Sequence, residues 1–161
     1  MSKPFLVAFG VAVIAIIGVI WWAFAGTAGN HLVPTGKIGK VRTLGVGDDL
    51  TYMVIDFNVR NDSDRDMVVR TVDGVVDTAD GDMLMATPVA VADVKSAFES
   101  YPALGEQYNP VLKERDVVPP HQSLDRMVGF RVDAPVAKVE GRKRVTLHVE
   151  DVTGPVLELT K

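Results

Sequence analysis

Cysteine is absent from the 161 residues. That excludes disulfides, a thiolate metal centre, a cysteine nucleophile and an anchor through a lipid-modified cysteine. Histidine is scarce as well. His31, His121 and His148 share no ligand-like spacing, and none falls in an H-x-x-x-H or H-E-x-x-H pattern. His148 alternates with Val145, Leu147 and Val149, which makes it a solvent-facing strand residue. Gly45-Val46-Gly47 lacks the lysine and helix start of a phosphate loop, and none of Ser2, Ser63, Ser96, Ser100 and Ser123 sits in G-x-S-x-G. Positive charge is thin. Residues 26–161 carry 16 Lys and Arg against 21 Asp and Glu, so nucleic acid is not expected as a partner. The densest basic patch, Arg142-Lys143-Arg144 after Gly141, reads as a solvated hairpin turn. No enzyme and no cofactor are expected.

Long apolar runs are limited to one, Phe5 to Ala25, which holds no charged side chain. At about 1.5 Å per residue its length is ~31 Å, close to the hydrocarbon thickness of a bilayer. A single such run satisfies its backbone in lipid only as a helix, so residues 1–25 are expected to be a short tail and a transmembrane helix. Trp21 and Trp22 mark its interface, where indoles place an apolar ring and one hydrated N–H. A cleaved signal peptide is the rival, with Ala23-Phe24-Ala25 as its site. The run exceeds the usual h-region, however, and the n-region holds only Lys3. The expected address is the inner (cytoplasmic) membrane, single-pass, with the tail inside and the C-terminal domain periplasmic or extracytoplasmic.

Residues 26–36 (GTAGNHLVPTG) read as a linker, and 37–161 as one domain with room for a real core. Strand signals fall at 37–44, 51–60, 67–76, 83–87, 124–132, 144–151 and 156–160. The clearest is Thr51–Arg60, where Met53, Ile55, Phe57 and Val59 alternate with Val54, Asp56, Asn58 and Arg60, the period of a strand with one buried face. The period changes at 88–101, where Val91, Val94, Phe98 and Tyr101 predict one face of a short helical insertion. Tyr101-Pro102 ends it. Short strands separated by turns predict a mainly β fold, an antiparallel immunoglobulin-like sandwich.

The stretches VIDFNVRNDSDRDMVV, VVPPHQSLDRMVGFRVDAP and RVTLHVEDVTG resemble bacterial immunoglobulin-like domains of the telokin-like type. They are also similar to the water-stress late-embryogenesis-abundant domains. Both carry an Asn-containing turn after an early strand and a later G-F-x-V strand, here Gly129-Phe130-Arg131-Val132. The resemblance spans roughly 37–154, with the helical insertion as a departure, and implies a non-catalytic extracytoplasmic sandwich with no fixed ligand.

Asp62, Asp64 and Asp66, with Asp73 further on, approach the spacing of a calcium loop, because hard cations want converging carboxylates. Met67 stands where the sharp turn needs glycine, so a solvated turn is the plainer expectation. Asp48, Asp49, Asp80 and Asp82 gather at the opposite end of a meander. Asn61-Asp62-Ser63 fits a glycosylation sequon. The remaining expectation is binding. Partners besides the bilayer are proteins, met through the membrane helix, with Gly10 and Gly18 on one small-residue face, and through the 88–120 insertion, with Phe98, Tyr101 and Tyr108. The chain is therefore expected to be a membrane-anchored accessory or structural subunit of a larger complex, respiratory or photosynthetic. The alternative is a stand-alone envelope ligand-binding or stress-related module.

Overall fold

The computed structural model describes Gly10, residues 12–22 and residues 33–161. Contacts divide the chain into two compact units, Met1–His31 and Leu32–Lys161. In the first, Gly10 and residues 12–22 are helical, and Trp21 and Trp22 are exposed. A Cβ added at Gly10 or Gly18 meets nothing within 4 Å. Among the described residues no helix is long and apolar enough to cross a membrane. Residues 5–9, 11 and 23–25 of the apolar run lie outside the described residues, as does 26–32 of the expected linker.

The second unit is an antiparallel β-sandwich. Its strands are β1 (Pro34–Gly45), β2 (Thr51–Asn61), β3 (Met67–Asp77), β4 (Met83–Pro88), β5 (Val117–Val118), β6 (Ser123–Val132), β7 (Arg144–Asp151) and β8 (Val156–Thr160). Helix α1 (Val91–Ser100) and a 3₁₀ turn, Pro102–Leu104, follow β4, and α2 (Val136–Glu140) lies between β6 and β7. The strand order is β1-β2-β6-β4-β3-β7-β8, with β5 paired to β3. Short β4 joins the halves, pairing β3 through Met83–Ala86 and β6 through Ala86–Pro88. The period-two residues of both halves meet in one apolar core. Met53, Ile55, Phe57 and Val59 of β2 lie with Val128, Phe130 and Val132 of β6 and with Val145, Leu147 and Val149 of β7. Each such fully buried side chain contributes about 1.5–3 kcal/mol by leaving water.

Four local features depart from the pattern in the sequence. Strand β1 begins at Pro34, inside the expected linker. Gly36 is needed there, because a Cβ would stand 2.2 Å from the Asn58 carbonyl oxygen across the β1–β2 pairing. Strand β5 occupies a stretch expected to be loop. The basic patch is a helix-to-strand passage and not a hairpin: α2 buries Val139, and Arg142 donates from Nη1 to the Val139 carbonyl at 2.9 Å. Burial pushes the Arg142 guanidinium below its ordinary value, while Arg144 pairs with Asp77 at 2.7 Å. Finally, β2 is buried on both faces, where one solvated face was expected.

Candidate functional site

The second buried face of β2 results from the insertion. Pro88 cannot donate to a further ladder, so β4 stops there, and the Val89 N–H reaches sideways to the Gly129 carbonyl at 3.0 Å. Helix α1 then runs across the outer face of β2 and β6. Val94 and Ala97 are buried and Phe98 is partly so, whereas Val91 and Tyr101 stay exposed. Tyr101, held extended before Pro102, ends the helix as the proline pattern predicts. Leu104 plugs the far side, and residues 110–112 return beside β6, with the Met127 N–H on the Pro110 carbonyl and the Leu112 N–H on the Met127 carbonyl. A small second core forms from Val54, Val94, Ala97, Leu104, Val111 and Met127. Gly129 makes the close approach possible: a Cβ there would lie 2.7 Å from both the Tyr52 hydroxyl and Val94.

A buried ion pair pins this layer. Arg42 of β1 and Asp56 of β2 meet at 2.7 Å, with side chains 7% and 10% exposed. Arg42 also donates from Nη1 to the Leu104 and Glu106 carbonyls at 2.9 and 2.8 Å. The Asn109 amide donates to the second Asp56 oxygen at 3.0 Å. The guanidinium carbon lies 4.8 Å from the Phe98 ring centre and 6.0 Å from that of Tyr108, within cation–π range. Partner hydrogen bonds and aromatic faces offset the desolvation that a buried charge pair carries. Phe98 and Tyr108, singled out as partner surface, thus also serve the molecule's own packing. Tyr108 keeps most of its ring exposed.

Beside α1 lies a cleft of about 310 Å³. Its floor is the Tyr52 ring with Val46, Leu50 and Val89, and its helical wall presents Asp93, Ser96, Ser100 and Tyr101. The Tyr52 hydroxyl is buried behind this floor with no hydrogen-bond partner. Burial, and secondly the Asp93 charge, push it up to about 12 from its ordinary 10.0. Arg131, opposite Tyr52 on β6, closes the cleft and is itself paired to Asp133 at 2.9 Å. None of Tyr52, Arg42, Asp56 and Asp93 was singled out from the sequence. The available signal was two opposite charges, Arg42 and Asp56, inside adjacent strand patterns.

The acidic residues take other roles. Asp62 accepts from Arg60 and Thr35, and these contacts hold its carboxyl below the usual range. Asp64 pairs with His121 at 2.9 Å, and Asp66 joins neither. Among the described residues no group of three metal-ligating side chains converges, so the calcium-loop spacing does not become a site. At the other end Asp82 binds Lys138 at 2.6 Å, a hydrogen bond that raises the lysine above its ordinary value. The sequon is closed to modification. The buried Asn61 amide donates to the Val118 and Arg65 carbonyls, while its oxygen accepts from Ser63. His148 is half-buried on β7, 3.6 Å from Glu158.

Strand pairing and core define a mainly β protein, an antiparallel β-sandwich with an outer helical layer. No protein-family model matches the chain, and no curated protein matches it. It is similar to an ApaG protein from Pseudomonas aeruginosa PAO1, at 15% identity over 74% of this chain and 96% of that one, TM-score 0.37. It is also similar to an uncharacterized β-sandwich protein from Clostridium difficile 630, at 13% identity over 81% of each chain, TM-score 0.34. At such scores neither likeness bears on what this chain does.

Proposed function

We propose that this protein is a single-pass, membrane-anchored and non-catalytic interaction protein. In its most concrete form it is an accessory or structural subunit of a larger membrane complex, with the sandwich on the extracytoplasmic side of the inner membrane. The observation that carries the reading is the helix through residues 12–22. Ile14, Ile16, Ile17, Val19 and Ile20 are all exposed on it, followed by Trp21 and Trp22 at 76% and 79%. A helix apolar all round needs lipid or another helix as its surroundings, and the apolar sequence continues on both sides of this stretch. An immunoglobulin-like, telokin-like or water-stress type of domain agrees with the strand order, and the Gly129-Phe130 pair has a packing reason in it.

Alkaline carbonate washing of membranes carrying the full-length chain tests the anchor: retention in the pellet is expected, and release overturns it. Mild detergent extraction and native purification through a C-terminal tag test the subunit form. Stoichiometric co-purifying proteins are expected. A clean monomer overturns the subunit form and leaves the stand-alone envelope module, which the cleft beside α1 also favours. Because the chain lacks cysteine, Glu99→Cys on the exposed side of α1 supplies a unique thiol. Labelling by an impermeant reagent in cells with a permeable outer envelope is expected, and protection reverses the orientation.

A further inference from the structure

The cleft beside α1 is polarised in a way that specifies its occupant. The Asp93 carboxylate has no ion-pair or hydrogen-bond partner among the described residues, its backbone N–H alone bonding to the Ala90 carbonyl, whereas Arg131 across the cleft is held by Asp133. The α1 pair Lys95 and Glu99 meet each other at 3.9 Å. The turn contributing Val46 and Leu50 carries two further acids, Asp48 and Asp49. The unmatched charge at the mouth is thus negative. The cleft also presents two aromatic side chains, Tyr52 in its floor and Tyr101 on the helical wall with Asp93. We propose that this cleft binds a small organic cation, an ammonium group on an apolar or aromatic body.

The chemistry of each wall selects that class. The ammonium meets the Asp93 carboxylate in a charge-assisted hydrogen bond, with the Ser96 and Ser100 hydroxyls as neighbouring acceptors. The tyrosine rings favour a cation through their negative faces. The apolar body covers Val46, Leu50 and Val89, in keeping with small-molecule sites that are mostly apolar with few polar anchors. A carboxylate ligand would face Asp93 at once, and a sugar would find too few polar partners. A neutral apolar molecule would strip water from Asp93 without replacing it. The site requires neither the membrane anchor nor a partner complex, so it stands apart from the proposed function.

Tyrosine occurs three times, at Tyr52, Tyr101 and Tyr108. Full-length protein carrying 3-fluorotyrosine therefore gives three fluorine resonances, assignable with single Tyr→Phe variants. Titration with 2-phenylethylamine in detergent solution is expected to shift the Tyr52 and Tyr101 signals saturably and to leave Tyr108, which lies outside the cleft, in place. The neutral isostere 2-phenylethanol is expected to bind at least about tenfold more weakly, and Asp93→Asn to weaken the amine by a similar factor. Asp93→Asn keeps the size of an exposed side chain, so the fold is preserved. Absence of a saturable shift at Tyr52 and Tyr101, equal binding of amine and alcohol, or unchanged amine binding by Asp93→Asn would each overturn the proposal.

Discussion

The two faces of β2 are built from the same strand by different means. Inward, Met53, Ile55, Phe57 and Val59 enter a core built of apolar side chains, with the buried polar Thr51 and Asn61 at the two ends of the strand. Outward, Tyr52, Val54 and Asp56 are covered by the 88–112 segment, and the layer holds an ion pair and an orphaned hydroxyl. The inner face is secured by area removed from water, which tolerates modest changes of shape if volume is kept. The outer face depends on a few directed contacts made by a mostly local excursion of chain. Segments of that kind open at lower free energy than the core. The cleft lies at this outer layer, beside the helix.

Residues 129 and 130 offer the sharpest division, being neighbours that point to opposite faces. Phe130 is fully buried against Gly74 and Ala86 in the inner core. Phe130→Ala is expected to cost about 4 kcal/mol, shared by every region of the sandwich, as seen in urea unfolding by circular dichroism. Next in size is Asp56→Ala, which leaves the Arg42 charge buried without its carboxylate at a cost of about 3 kcal/mol. Here hydrogen exchange is expected to quicken across 91–112 well before it does in β7. The paired change Arg42→Met with Asp56→Leu is expected to recover most of the loss. Uniform exchange in both layers would mean that they unfold as one unit. Gly129→Ala comes third. Its Cβ would press on Val94, Val89 and the Tyr52 hydroxyl, and overpacking of this kind costs about 2 kcal/mol. The expected readout is faster limited proteolysis within 89–112, with little change in the urea midpoint of the sandwich.

The inner layer was legible because its signal is periodic. The alternation in 51–60 names the buried residues of β2 directly, and Gly129-Phe130-Arg131-Val132 marks β6. The helix at 91–100 announced itself by a change of period. Its destination did not. Nothing local in Val94 or Phe98 says that they close on the outer face of β2 and β6 and not on an end of the sandwich, since that depends on where β4 stops and how the chain returns at 110–112. Asp56 read as an ordinary outward strand residue, because a charge buried by a distant segment has the same local pattern as a solvated one, and the sequence around Arg42 carries no mark of burial either. Asn61 read as a sequon for the same reason: its amide is taken up by the Val118 carbonyl, 57 residues away. The acidic turn at 62–66 kept a ligand-like spacing while Asp62 and Asp64 turned to separate basic partners, Arg60 and His121.

Tyr52 gives the smallest expected effect and the most selective one. Its hydroxyl is buried without a partner, and an unmet buried donor is a cost of about 1 kcal/mol that Tyr52→Phe removes, so the variant is expected to be slightly more stable near neutrality. The pH dependence separates this from a simple packing gain. The folded hydroxyl is pushed up to about 12, while the unfolded one titrates near its ordinary 10.0. Below the unfolded value both states hold the proton and stability is unaffected. Between the two values the unfolded chain releases the proton and the folded chain keeps it, so stability falls as pH rises through that window. The difference in urea midpoint between Tyr52→Phe and the parent is therefore expected to be constant up to about pH 10 and to widen above it, in favour of the variant. A difference that stays constant to pH 12 would mean that the outer layer already admits water to Tyr52. The contrast between a sealed inner face and a closed but adjustable outer one would then shift further toward openness.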